Sequence, residues 1–262
     1  MKMLTLFFII ALSTLSINAQ AFTFNNSAKL VFSQDEVLVN VAANCTNLGI
    51  TNEELLSLVG SAVDNFWNQS PTSRLKLRKG SVVNVAAAFH TGEICVSGTN
   101  CDPNPILKVT NDILISCNEN TVNFPSTAIL GVTIPNNISG STIQGALVLI
   151  NDQAGNQFED KTKNEKISII AHELGHAFGL GHSKVEDSLM YFMTMSKRVA
   201  LGRDDIDGIS YLYPKQQPKA GCGTVDFDGG TGPNWWSGLF LGFSIIGLSE
   251  LFRKRKNNTK AI

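Results

Sequence analysis

Histidine is scarce in this sequence, with four residues in 262, so the chain has no histidine-rich tract and little material for several metal sites. A charge excess is also lacking. The 21 basic and 22 acidic residues leave a formal net charge of -1, and no basic stripe exists outside the last ten residues. That argues against a nucleic-acid surface built from lysine and arginine. Low-complexity bias is absent, so the composition is that of a globular chain of one ordinary domain plus extensions. No C-x-x-C spacing occurs among the five cysteines, which argues against thiol-based metal binding.

What is present at the start reads as an export signal over residues 1–21. Lys2 gives a positive start, Leu4 to Leu15 is a short apolar core, and Ala19-Gln20-Ala21 fits a small-x-small cleavage site. The apolar run is too short for a comfortable membrane span. Phe22 is then the expected new N-terminus; an uncleaved N-terminal anchor is the alternative. Export permits disulfides. Cys45, Cys95, Cys101 and Cys117 could form two bridges in any of three pairings. Cys95 and Cys101, which close a short polar loop, are the favoured pair. Cys222 is left over in a linker.

Leu30 to Val41 reads as strand. Asn52 to Trp67 reads as an amphipathic helix, because Leu55, Leu56, Val59, Val63, Phe66 and Trp67 recur at helical spacing. Strands follow at Leu75 to Leu77, Val82 to Phe89, Asp112 to Ser116, Ile129 to Ile134 and Gly145 to Asn151. After a polar loop, Thr162 and Glu165 fit a capping box, and Ile167, Ile170, Leu174 and Phe178 form one apolar stripe. The order of strand, helix, several strands and helix predicts an α/β (α+β) domain with one mixed sheet.

Three of the four histidines fall in one run, His172 to His182, HELGHAFGLGH. His172 and His176, four apart on a helix, share a face and can grip one ion. Glu173 is angled off that face and is placed to act as a general base toward water. Gly179 can end the helix and turn the chain, so that His182 returns as a third ligand. Three neutral nitrogens leave a fourth position open, the pattern of a catalytic zinc that activates water against a carbonyl.

This H-E-x-x-H-x-x-G-x-x-H run resembles the metzincin metalloproteases, and specifically the matrixins. Ser183 after the third histidine resembles the matrixin residue there. Ser188-Leu189-Met190-Tyr191 lies at the matrixin distance, which implies that Met190 is the Met-turn residue, an apolar floor beneath the metal. Leu201 to Tyr213 looks like the last matrixin helix. The resemblance implies a metzincin-type fold over residues 22–215: a twisted mixed sheet packed on an active-site helix, a Met-turn and a C-terminal helix. It also implies a zinc endopeptidase acting on a protein or peptide, with Ile129 to Ile134 as the edge strand that pairs with an extended substrate. In matrixins an acid of the last helix can pair with the mature N-terminus. Asp204, Asp205 and Asp207 are candidates, simple helix-start acids being the alternative. Calcium is common in the family, and Asn151, Asp152 and Asn156 could serve. Matrixins usually carry a second, structural zinc on three histidines. Only His90 is left over here, and it reads as a loop or core histidine. Phe192 stands where proline usually follows Met-Tyr. No pro-segment with a latency cysteine is recognisable, and the short unit resembles bacterial members.

Residues 216–234 read as a Gly/Pro-rich linker. Residues 235–252 read as a membrane helix, since about 18 residues reach about 27 Å against a bilayer core of about 30 Å. Trp235 and Trp236 lie at one end and a basic tail, 253–262, at the other. An amphipathic helix docked on the domain is the alternative. The tail also resembles bacterial sorting signals, with Cys222-Gly223 as a candidate processing point. The expected location is extracytoplasmic and surface-anchored, or released. Rival functions are an exopeptidase or other metal hydrolase, and a non-catalytic binding module on a protease fold.

Overall fold

The computed structural model describes residues 22–25, 29–95, 104–193 and 197–215. The chain divides into two units, Met1–Gln216 and Gln217–Ile262. The expected signal peptide, linker, membrane helix and basic tail, with Cys101 and Cys222, lie outside the described residues. No helix among the described residues is long and apolar enough to cross a membrane.

A six-stranded sheet forms the centre. Its strands are β1 (Val31–Phe32), β2 (Glu36–Ala42), β3 (Lys76–Val83), β4 (Asp112–Asn118), β5 (Gly131–Ser139) and β6 (Thr142–Asn151). β2 lies between β3 and β4, β4 runs beside β6, and β1 joins the first residues of β6, all parallel. β5 alone is antiparallel, paired to β6. The helices are α1 (Asn52–Asn65), α2 (Ala88–Thr91), α3 (Lys163–Ala177) and α4 (Arg203–Leu212).

The sheet is covered on both faces, which explains why its central strands read as continuous apolar runs. In β6, Ala146, Val148 and Ile150 face the main core with α1 and α3, while Leu147 and Leu149 face a smaller core with Phe89, Leu107 and Phe124. In β4, Ile113, Ile115 and Cys117 point to the first core and Leu114 to the second. Trp67 sits in the main core, and its indole Nε1 donates to the Ala171 carbonyl at 2.7 Å. Both long helices begin at the capping boxes their sequences encode: Thr51 with Glu54, and Thr162 with Glu165.

Several element boundaries differ from the sequence reading. The strand expected over 30–41 is broken at 33–35, where Arg74 donates to the Phe32 and Ser33 carbonyls and pairs with Asp35. The strand expected to run to Phe89 ends at Val83. Ala87 instead caps the helical turn α2, which opens on Ala88, in keeping with the high helix propensity of alanine. β5 runs on through Pro135 to Ser139, which is permitted because proline on an edge strand need not donate. The ladder shifts register beside that proline.

Cys45 and Cys117 form a disulfide across 72 residues. Cys95 is disulfide-bonded as well. The Cys45–Cys117 bridge belongs to one of the three pairings the sequence left open; Cys101, of the favoured Cys95–Cys101 pair, lies outside the described residues. By chain-entropy reasoning, a loop of this length stabilises the fold by about 4 kcal/mol. The Cys45→Ser, Cys117→Ser double variant is therefore expected to lose about that much in urea unfolding.

Candidate active site

α3 carries His172, Glu173 and His176, all buried, at the bottom of a cleft of about 830 Å³. The chain leaves the helix at Phe178 and turns at Gly179, whose φ is +116°. That angle suits glycine, and a Cβ there would lie 2.5 Å from the Leu30 carbonyl oxygen. The turn returns His182 to the other two rings, with ring centroids 5.4 Å from His172 and 4.7 Å from His176. One nitrogen of each ring lies within 4.8 Å of the others, the one such cluster of metal-ligating side chains among the described residues.

The second nitrogens fix the tautomers. His172 Nδ1 lies 2.7 Å from the Leu189 carbonyl oxygen and His176 Nδ1 lies 2.8 Å from that of Leu180. A carbonyl only accepts, so each Nδ1 carries the proton and donates. Burial, with His176 close by, pushes His172 down to about 3, and burial also lowers His176. Both rings are thus neutral, and their Nε2 lone pairs face each other at 3.1 Å with no proton to share. Two acceptors aimed at one point, with a third imidazole beside them, suit a borderline-soft divalent cation such as zinc.

Met190 is buried beneath the helix. A Cβ on Gly175 would come within 2.3 Å of Met190 Sδ and 2.8 Å of Trp67, so the glycine lets the thioether reach the helix backbone. The Met190 turn is tied to α4 by Asp205, which accepts from Ser188 Oγ, Leu189 N, Met190 N and Gly202 N. Ser183 donates to Asp204, and its N–H donates to the Met190 carbonyl. Asp204 and Asp205 therefore turn inward to the Met190 region, while Asp207 pairs with Arg203 at 3.5 Å. The Phe22 to Asn25 segment runs antiparallel to the third-histidine loop. Thr23 Oγ1 donates to the His182 carbonyl at 2.6 Å and Asn25 Nδ2 to that of His176 at 3.2 Å.

Glu173 lies on the cleft floor opposite β5. Burial pushes its carboxyl up to about 7, partly offset by a hydrogen bond from Thr133 Oγ1 to Oε2 at 2.6 Å. Gly131 to Thr133 line the same cleft, and β6 is the one strand paired with β5 among the described residues. Phe192, half exposed, stands 5.7 Å from the His182 ring at the cleft wall. Away from the cleft, His90 Nε2 meets buried Asp152 at 2.9 Å, and Asp152 also accepts from Thr46 and Asn47. The proposed calcium residues Asn151, Asp152 and Asn156 thus spend their side chains on protein partners.

Comparison with known proteins agrees with this geometry. The family model for matrixin peptidases matches residues 19–214. The chain belongs to the matrixin family. Metalloendoproteinase 5-MMP of Arabidopsis thaliana is 36% identical over 86 residues, covering 30% of this chain and 24% of that protein. Metalloendoproteinase 2-MMP of the same plant is 52% identical over 48 residues, covering 18% and 13%. Stromelysin-2 of Rattus norvegicus is 49% identical over 49 residues, covering 17% and 10%. The chain spans a quarter or less of the length of these matrixin relatives.

Of the sequence-predicted residues, the structure brings together His172, Glu173, His176, Gly179, His182 and Met190. Thr133, Gly131, the N-terminal Thr23 and the roles of Ser188 and Asp205 were missed. Only the two-residue spacing of Gly131 and Thr133 on a strand hinted that both face one partner.

The tautomers imply a pH dependence for the metal-free chain. His172 and His176 stay neutral in the fold but take up protons near 6.5 once unfolded. Glu173 opposes them, binding its proton near 7 in the fold and near 4.5 when unfolded. Burial lowers His182 as well, in the sense of the other two histidines, while it raises Asp204 and Asp205, in the sense of Glu173. The His172 contribution, about 3 in the fold against an ordinary 6.5, is stability that is lost as pH falls below 6.5. In chelator, urea unfolding of the wild type should lose about 1.4 kcal/mol more per pH unit between pH 6 and 5 than a His172→Phe variant, for the one proton that folded His172 does not take up.

Proposed function

We propose that this matrixin is a zinc-dependent endopeptidase that cleaves peptide bonds in extracytoplasmic protein substrates, with Glu173 as general base. The observation that carries this is the convergence of unprotonated Nε2 atoms on His172 and His176, with His182 beside them and a buried carboxylate at the same cleft floor. Zinc held by His172, His176 and His182 would supply a Lewis acid for the substrate carbonyl and lower the pKa of water from about 15.7 toward 7.

The residues of the chain do the rest. The edge of β5 that is open among the described residues offers backbone N–H and C=O groups to an extended peptide, which would lie across the cleft as an added strand. Glu173 accepts the proton of the attacking water and passes it to the leaving amine. Phe192 and Met193 give the cleft an apolar wall. Residues 1–21 as export signal and 235–252 as membrane segment would place this chemistry at the outer surface of a membrane.

The full chain, incubated with a peptide library, is expected to release internal fragments. A chelator should reduce the rate to background and added zinc should restore it. Fragments arising only from chain ends would favour an exopeptidase. Chelator-insensitive cleavage would remove the metal from the account. Mass spectrometry of the mature chain reads the tail: a C-terminus intact to Ile262 excludes processing near Cys222.

A further inference from the structure

The inner face of β5 presents two residues to Glu173. Gly131 and Thr133 are two apart, so they share a face of the strand. A Cβ on Gly131 would lie 2.8 Å from Glu173 Cδ and Oε1 and 2.9 Å from its Cγ. The bare glycine therefore leaves the space that the carboxylate occupies. Thr133 is buried, and its Oγ1 donates to Oε2 at 2.6 Å. The two carboxylate oxygens thus have different neighbours: Oε2 is tied to the strand, while Oε1 lies over the glycine. Glutamate, Gly131 and Thr133 all line the cleft.

We propose that Thr133 is a positioning residue for peptide hydrolysis, its hydroxyl anchoring Glu173 Oε2 so that Oε1 alone faces the reacting water. This rests on the reading of Glu173 as general base. The physical need is plain. A glutamate side chain has three torsions and loses up to about 2 kcal/mol of rotamer freedom when fixed. Misplacement of a catalytic group by about 1 Å can cost about 10²-fold in rate. A β-branched side chain on a strand is stiff at χ1, so the threonine hydroxyl is held on a rigid element. Gly131 adds the steric half of the same device, since any side chain there would push Glu173 off the position the hydroxyl defines.

The test uses the full chain. Thr133→Val keeps shape and burial and removes only the hydroxyl. It is expected to lower kcat roughly tenfold or more, with KM and zinc content unchanged within about twofold. Thr133→Ser, which restores the donor, is expected to recover most of the rate. A second readout needs no turnover. In urea unfolding of the metal-free chain at pH 8, Thr133→Val should shift the equilibrium roughly tenfold toward the unfolded state when Glu173 is present. In a Glu173→Ala background that shift should vanish or reverse. Wild-type kcat in Thr133→Val, or equal shifts in both backgrounds, overturns the proposal. Coupling in a chain that shows no peptidase activity would keep the anchoring contact and remove the general-base reading instead.

Discussion

Glu173→Gln is expected to lower kcat by roughly 10²–10⁴-fold, the usual range for losing a general acid–base group. Zinc content should not change, because the carboxylate is outside the three-histidine cluster. The amide keeps the volume of the side chain and can still accept from Thr133, so the helix and cleft have no reason to rearrange. Stability should move the other way from activity. The folded carboxyl titrates near 7 against an ordinary 4.5, because burial penalises its charge. A carboxyl with a raised folded value costs stability that builds up as pH rises from 4.5 through about 7. In the metal-free chain at pH 8 the glutamine variant is therefore expected to unfold at higher urea, by no more than about 3 kcal/mol. Wild-type turnover by the glutamine variant would sink the general-base role. A variant that is inactive, zinc-loaded and no less stable would show a charge kept buried for chemistry at the expense of the fold.

What could be read from sequence follows from distance along the chain. His172, Glu173 and His176 lie within five residues on one helix, and the helical repeat alone places them. Gly179 and His182 follow from one turn of backbone. Met190 was accessible through its resemblance to a family segment. The central strands were legible because burial on both faces makes them unbroken apolar runs, as in β6. The errors lie where tertiary contacts decide. The break between β1 and β2 is held by Arg74, about forty residues away along the chain, and no local pattern records it. Continuation of β5 past Pro135 depends on its being an edge strand, which only the assembled sheet defines. The bond between Thr133 and Glu173 joins positions forty residues apart, and a threonine within a strand is unremarkable by itself. The cysteine pairing is of the same kind: a separation of 72 residues carries no geometric signal until β4 lies beside β2.

Among single substitutions, Asp205→Ala is expected to lose the most stability, and the loss extends to the metal. Asp205 is 1% exposed and accepts four hydrogen bonds, three from backbone N–H groups and one from Ser188 Oγ. Alanine would leave those donors buried without an acceptor, at about 1–3 kcal/mol each before relaxation. Some will find water, so a net loss of about 3–5 kcal/mol is expected in urea unfolding. Asparagine should not rescue it, because its NH₂ group would face N–H donors. Asp204→Ala is the comparison: Asp204 accepts from Ser183 Oγ, and losing that one bond should cost about 1 kcal/mol. The consequence for zinc follows from the next bond in the chain of contacts. Asp205 holds Leu189 N, and the Leu189 carbonyl orients His172 through Nδ1. Loss of a partner that orients a metal-binding histidine typically weakens affinity 10–100-fold. Competition with a chromogenic chelator should therefore show zinc leaving Asp205→Ala 10–100-fold more readily than wild type, under conditions where circular dichroism reports a folded chain. Undiminished affinity in a folded but destabilised variant would mean that the Met190 turn keeps its shape without the aspartate, and that His172 is oriented by its own helix alone.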